Sequence, residues 1–498
     1  MSKVTALLKP AVIWKHFETL ASIPRRSREE DKVLAYLKSF ADERGLDWTQ
    51  DDAGNMVIRR PGTSGGQGAP TVVIQGHVDM VCEKEPEHEH DFSTDSIQLD
   101  IQDDWLTAKG TTLGADNGLG VAAGLALLEM PSDATLPPIE GLFTVAEEIG
   151  LVGAKALDGD MVKGRILLNL DAEDWPNIYV GCAGGGITNV SLPSAPESLD
   201  GAGWVGGVLT VNGLVGGHSG ADIHLYRASA IKLAARLLSP LVEEDLCRIV
   251  DLRAGDKQHN VIPRTSRAEI VVRRCAETRA SAAFEEAKRV LTLEYGTSER
   301  EMALDLVLSS PQKAAAGSAL SAGDGRRAIA LLTNLPYGPI KFSHSIPGMV
   351  ETSNNLASVK IEDGSLRVMC STRSSVNGAI EAVRSQIRAL ASLCGASVTG
   401  NKPYPGWQPN LDSKIVKRTV AEVTELIGRE PKVTAIHAGL ECGIIGERLG
   451  GDCDMVAFGP TITGAHTPGE RVQISTVEPF WNLVLNVVRA VATNKGEE

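Results

Sequence analysis

Thr71-Val72-Val73-Ile74-Gln75-Gly76-His77-Val78-Asp79 is a short β-branched run followed at once by a glycine, a histidine and an aspartate. Such a run, bounded by a Gly-rich loop from Pro61 to Pro70, reads as a buried strand. His77 then stands just past the strand's end. In an open α/β sheet, ligands bind outside the carboxyl ends of the strands. Asp79 lies two residues on, so both side chains can project to one side of an extended chain. Taken alone, this histidine and aspartate fit a satisfied buried imidazole beside a solvated acid better than a site.

Working outward, the pattern repeats. Residues 118–130 are apolar and rich in Gly and Ala, which predicts a buried helix. Gly141-Leu142-Phe143-Thr144-Val145-Ala146 and Arg165-Ile166-Leu167-Leu168-Asn169-Leu170 read as two further buried strands, and Asp454-Met455-Val456-Ala457-Phe458 as another. Upstream, Val33, Leu34, Leu37 and Phe40 form a helical stripe that Gly45 ends. Strands alternating with helices predict an α/β domain with a mostly parallel central sheet flanked by helices. From 187 to 402 the texture changes to β runs separated by long helices at Ala228–Leu238, Ala282–Leu291 and Ala379–Leu393. Within it, Asn260 to Arg273 and Asn355 to Arg373 look alike, as a duplicated half-domain would. Past Trp407 the α/β texture returns. The expected organisation is therefore one α/β domain, 1–186 plus 403–498, carrying an inserted α+β domain at 187–402.

Composition narrows the function. At 498 residues the chain exceeds the ~250–300 residues at which a single core stops growing. Its formal charge of −14 makes phosphate backbones poor partners. No apolar run approaches the ~20 residues that span a bilayer, and the first residues lack the pattern of a signal peptide. Eight scattered cysteines without a CxxC pair fit reduced thiols in a cytoplasmic chain.

The acids fall where chemistry can use them. Asp116 sits in the turn Leu113-Gly114-Ala115-Asp116-Asn117-Gly118, Glu147-Glu148 follow one strand, and Asp171 follows the next. His466 lies in Gly464-Ala465-His466-Thr467-Pro468-Gly469-Glu470, after the last strand. Singly, each acid fits a helix cap or a solvated strand end. Gathered at one sheet edge they would repel one another unless cations lay between them. Imidazoles with carboxylates form a ligand set suited to zinc or manganese.

These ordered motifs resemble those of the two-metal co-catalytic metallo-exopeptidases. The opening Phe17-Glu18-Thr19-Leu20-Ala21-Ser22-Ile23-Pro24-Arg25-Arg26-Ser27 and the segment Ile436-His437-Ala438-Gly439-Leu440-Glu441-Cys442-Gly443 are most similar to the bacterial aminoacyl-histidine (Xaa-His) dipeptidase group, over nearly the whole chain. The resemblance implies that Asp116 bridges two divalent ions, with His77 and Asp171 completing one site and Glu148 and His466 the other. It implies zinc as the metal, with cobalt or manganese as alternatives. Glu147 would be the general base, and Asp79 would orient His77. In the inserted domain, which would act as a lid and dimerisation domain, His218 would stabilise the oxyanion. Asn260, Arg373 and Glu441 would bind substrate. The expected reaction is hydrolysis of small peptides, Xaa-His and broader dipeptides with a free N-terminus, by a cytoplasmic homodimer. A deacylase of N-acyl amino acids or a carboxypeptidase on the same scaffold is the alternative.

Overall fold

In a computed structural model, which describes residues 4–199, 203–255, 258–309 and 318–493, the chain divides into two compact units. Unit 1 is Met1–Cys182 with Trp407–Glu498, and unit 2 is Ala183–Gly406. The changeovers lie four residues from those read in the sequence texture, at 182/183 and 406/407.

Unit 1 is built on an eight-stranded sheet. Its strands are β1 (Asp47–Gln50), β2 (Met56–Arg60), β3 (Val72–His77), β4 (Ile139–Thr144), β5 (Ile166–Asn169), β6 (Ile178–Cys182), β7 (Val433–Ile436) and β8 (Asp454–Ala457). They run side by side in the order β1-β2-β4-β3-β5-β8-β6-β7. The centre, β4-β3-β5-β8, is parallel throughout. Every residue of β3 and β4 is buried, as a sheet covered on both faces requires. β1 and β2 add an antiparallel edge that the sequence reading missed, because Asp47–Gln50 alternates exposed and half-buried positions without a long apolar run.

The helix expected at 118–130 spans Ala115–Leu128, and all but one of its residues are buried. It starts earlier than the apolar run because its first turn contains Asp116, whose backbone (φ −77°, ψ 113°) is not yet helical. A small sheet of Leu99–Gln102, Trp105–Ala108, Arg471–Gln473 and Ile462–Thr463 carries the loop with His466.

Unit 2 is built on a nine-stranded sheet whose pairings are all antiparallel. Helices Ala230–Glu243, Glu277–Tyr295, Ala322–Asn334 and Asn377–Leu393 pack on it over one core running from Val190 to Cys394. Apart from the two-residue strands Gly217–His218 and Val261–Ile262, the order strand, helix, two strands, helix, strand runs through 204–309 and again through 318–400, with Gly338–Phe342 added in the second pass. The two halves carry their look-alike residues differently. Arg273 ion-pairs with Asp245 at 2.6 Å, whereas Arg373 is buried.

Candidate metal centre

Parallel adjacency of β4, β3 and β5 places whatever follows each strand at one edge of the sheet. His77 ends β3, Glu147 and Glu148 follow β4, and Asp171 follows β5. The structure brings these together with Asp116 and His466. His77 Nε2 lies 2.9 Å from Asp116 Oδ1 and 3.4 Å from Asp171 Oδ1. His466 Nε2 lies 3.2 Å from Asp116 Oδ2 and 3.0 Å from Glu148 Oε2. The Asp116 carboxylate therefore stands between the two imidazoles with one oxygen towards each.

His77, Asp116 and Glu148 each offer a ligand atom, all within 4.8 Å of one another. Glu148 Oε1 is buried with no hydrogen-bond partner among the described residues. A cluster of imidazole nitrogens and carboxylates with an orphaned buried oxygen fits divalent cations by donor type.

The electrostatics record the crowding. Burial pushes the Glu147 carboxyl well above its usual range; His77 opposes this, while Asp171, Glu441 and Glu148 add to it. Burial likewise raises Asp171, to about 7. Burial would raise Asp116 too, but the hydrogen bonds from His466 and His77 outweigh it and hold that carboxyl far below normal. Hydrogen bonds donated to Asp116 and Glu148 lift His466 to about 11.

Asp79 is fully buried beside His77, with Oδ1 3.3 Å from Nδ1. It accepts from the backbone N–H of Glu147 at 3.0 Å, from that of Glu148 at 3.2 Å, and from Ser27 Oγ at 2.8 Å. One carboxylate thus lies against the histidine ring and holds the start of the Glu147-Glu148 turn. Ala146, just before that turn, has φ +50°. Left-handed backbone at a residue with a Cβ costs of order 1–3 kcal/mol and is held only by its surroundings. Here Glu30 Oε1 accepts the Ala146 N–H at 2.9 Å.

Several supporting residues carry no role in the sequence reading. Arg25 is 1% exposed and donates to the carbonyls of Val78, Asp79 and Gly114. Glu470 accepts four backbone N–H groups from Leu113 to Asp116. Asn117 donates to the Leu170 carbonyl at 2.7 Å, and its amide fills the space a Cβ on Gly76 would need. Both Arg25 and Glu470 lie inside quoted motifs, but their partners are distant in sequence and no local pattern announces them.

Glu441, a substrate contact in the sequence reading, is 0% exposed, and its Oε1 has no hydrogen-bond partner among the described residues. Its Oε2 accepts from Gln75 and Thr144, each at 2.6 Å, and Gln75 in turn accepts from Asn169 at 2.6 Å. It sits within the sheet among β3, β4 and β5 side chains, where it can support the centre from below.

In unit 2, Gly217–His218 pairs with Val261–Ile262, which brings His218 beside Asn260. His218 Nδ1 accepts from the Gly220 and Ala221 N–H groups at 3.2 and 2.9 Å, which leaves Nε2 to carry the proton. Burial, then the charge of Arg373, lowers its pKa to about 4. Arg373 is 6% exposed, its Nη1 lies 3.5 Å from Tyr404 Oη, and its Nε has no partner among the described residues.

Residues 73–490 match the model of peptidase family M20/M25/M40. The cytosol non-specific dipeptidase of Escherichia coli K12 is 36% identical over 97% of this chain and 98% of its own. The crystal structure of an aminoacylhistidine dipeptidase from Vibrio alginolyticus superposes with a TM-score of 0.90 at 36% identity, covering 97% of both chains. An aminopeptidase from Bacillus cereus shares the fold at a TM-score of 0.59 and 18% identity, over 97% of this chain and 99% of its own.

Proposed function

The chain belongs to peptidase family M20/M25/M40 and is a peptide hydrolase of the metallo-dipeptidase class, and from that premise we propose that it cleaves Xaa-His and related dipeptides with a free N-terminus. The observation that carries the reading is the Asp116 carboxylate, shared between His77 and His466 with one oxygen to each. In this reading His77, Asp116 and Asp171 hold one divalent ion, and Asp116, Glu148 and His466 the other. Zinc is the metal proposed, with cobalt or manganese able to replace it. Divalent ions held by these residues would supply Lewis-acid chemistry, acidifying water and polarising the scissile carbonyl.

The chain's own groups do the rest. Glu147 makes no side-chain hydrogen bond among the described residues, so its carboxylate is free to act as base. It takes a proton from the attacking water as the C–O bond forms, then delivers it to the amine nitrogen as the C–N bond breaks. Asp79 holds the His77 ring and the Glu147-Glu148 turn in place throughout. His218 offers a neutral Nε2–H to the developing oxyanion. Arg373, with its unpartnered Nε, takes the substrate's terminal carboxylate, and Asn260 assists beside His218. Unit 2 is in this account a lid and dimerisation domain of a cytoplasmic homodimer. The cysteines are all free, in keeping with a reducing compartment.

The test is a substrate panel of β-Ala-His, Leu-Gly and an N-acetyl amino acid, run before and after exhaustive chelation. Cleavage of the two dipeptides, lost on chelation and regained with zinc, cobalt or manganese, is the expected result. Hydrolysis of the N-acetyl compound alone would assign the deacylase reaction instead.

A further inference from the structure

The loop that carries His466 also carries Glu470, and the two reach the same target by different routes. His466 meets the Asp116 side chain, with Nε2 3.2 Å from Oδ2. Glu470 meets the Asp116 backbone and the three residues before it. Its Oε2 accepts the N–H groups of Leu113 and Gly114 at 2.8 and 2.9 Å, and its Oε1 those of Ala115 and Asp116 at 2.7 and 3.2 Å. These N–H groups belong to the turn that leads into the helix Ala115–Leu128, where the backbone at Asp116 and Asn117 is not yet helical. A carboxylate from another loop satisfies them.

Both ends of this link are tied down by hydrogen bonds. Between the two residues the loop is closed by Thr467 N–H to Gly464 O at 3.2 Å and Glu470 N–H to Thr467 O at 3.0 Å. Beyond it, Arg471–Gln473 pairs with Trp105–Ala108, and Thr107 Oγ1 donates to the Glu470 carbonyl at 3.1 Å. Glu470 itself is only 2% exposed. The other face of the turn is gripped by Arg25, which joins the Gly114 carbonyl to those of Val78 and Asp79 at 3.0 Å. Gly114, at φ +69°, turns its carbonyl towards this guanidinium and leaves no room for a Cβ, which would lie 2.4 Å from Arg25 Nη2. Buried Glu470 and Arg25 thus bind the turn from both sides, each through hydrogen bonds to backbone groups.

We propose that Glu470 and Arg25 are positioning residues that lock the Asp116 turn to the His466 loop and to the His77–Asp79 segment, so that the two halves of the metal centre form and fail together. This rests on the reading of His77, Asp116, Asp171, Glu148 and His466 as ligands. A mere fold-stabilising pair would lower unfolding temperature without changing metal affinity in the folded protein. A positioning pair changes the affinity itself, because the shared carboxylate drifts relative to both imidazoles. Outer groups of this kind alter metal affinity by about 10–100-fold.

The experiment is titration of full-length apo-protein with zinc, followed calorimetrically and by elemental analysis, for wild type, His466→Ala, Glu470→Gln and Arg25→Lys. Circular dichroism of each apo form establishes that it is folded. Wild type should take two ions, and His466→Ala one. If wild type takes none, or His466→Ala keeps both at full affinity, the ligand reading fails whatever the other variants do. With that reading intact, Glu470→Gln and Arg25→Lys should each weaken both ions by about tenfold or more. Their residual activity should show a lower kcat at nearly unchanged KM for a dipeptide. Wild-type affinity for both ions in either folded variant overturns the proposal, as does weakening confined to one ion. Failure of both variants to fold overturns it too, because the pair would then serve the fold rather than the centre.

Discussion

At the scale of single residues, Glu147 and Glu148 are neighbours with different surroundings. Glu148 Oε2 contacts His466 at 3.0 Å, whereas the Glu147 side chain has no such partner. Replacing Glu147 by Gln keeps the shape and removes the base. Turnover of a dipeptide should fall by about 10²–10⁴-fold, the usual contribution of general acid–base catalysis. Metal content should stay at the wild-type value, and loss of ions from the variant would make Glu147 a ligand instead. His218 allows a second test, on stability. Its folded pKa of about 4 lies below the unfolded value of 6.5. A histidine lowered on folding binds fewer protons in the native than in the unfolded state once pH drops below 6.5. Its stabilising contribution is therefore complete above that pH and lost as pH falls towards 4. The charged and titratable neighbours Arg373, Asp222 and His259 act on the same ring. Thermal unfolding of His218→Gln, whose amide oxygen can accept the Gly220 and Ala221 N–H groups, should fall less steeply than wild type across this window. Equal slopes would refute the assignment.

At the scale of elements, the strands that bear the site were legible and their supports were not. β3, β4, β5 and β8 announce themselves because a parallel strand covered on both faces must be a continuous apolar run. The chemistry-bearing residues follow those runs directly, so reading the strand ends also located His77, Glu147, Glu148 and Asp171. Edge strands β1 and β7 are only half-buried and gave no such signal. The surroundings of Glu441 were hidden for a related reason. A Glu at the start of a helix normally faces water, and nothing local shows that Gln75, Thr144 and the sheet enclose it. The same close packing makes β3 sensitive at one position. A Cβ on Gly76 would lie 2.2 Å from Asn117 Oδ1, the amide that ties the Asp116 turn to Leu170. Gly76→Ala should therefore cost about 1–3 kcal/mol, as overpacking does. It should also weaken metal binding, because Asn117 adjoins Asp116. Unchanged unfolding midpoint and unchanged zinc affinity would show that Asn117 yields without disturbing the turn.

At the scale of the whole molecule, the division into units predicts how metal and stability are linked. All five candidate ligands lie in unit 1, on β3, the turns after β4 and β5, the helix start at Ala115, and the loop near the small sheet. Unit 2 has its own core, assembled from residues between Val190 and Cys394. A ligand stabilises only the folded state that binds it, by about 4 kcal/mol when it is present at a thousand times its Kd. Two units with separate cores should unfold as separate steps unless their interface is large and apolar. Scanning calorimetry of the holo-protein should resolve two transitions. Chelation should lower the one that follows unit 1 probes such as Trp14 and Trp481, both buried there. The transition of unit 2, followed through Trp204, should stay where it was. A single transition that moves as one on chelation would mean that the insert and the catalytic unit fold cooperatively.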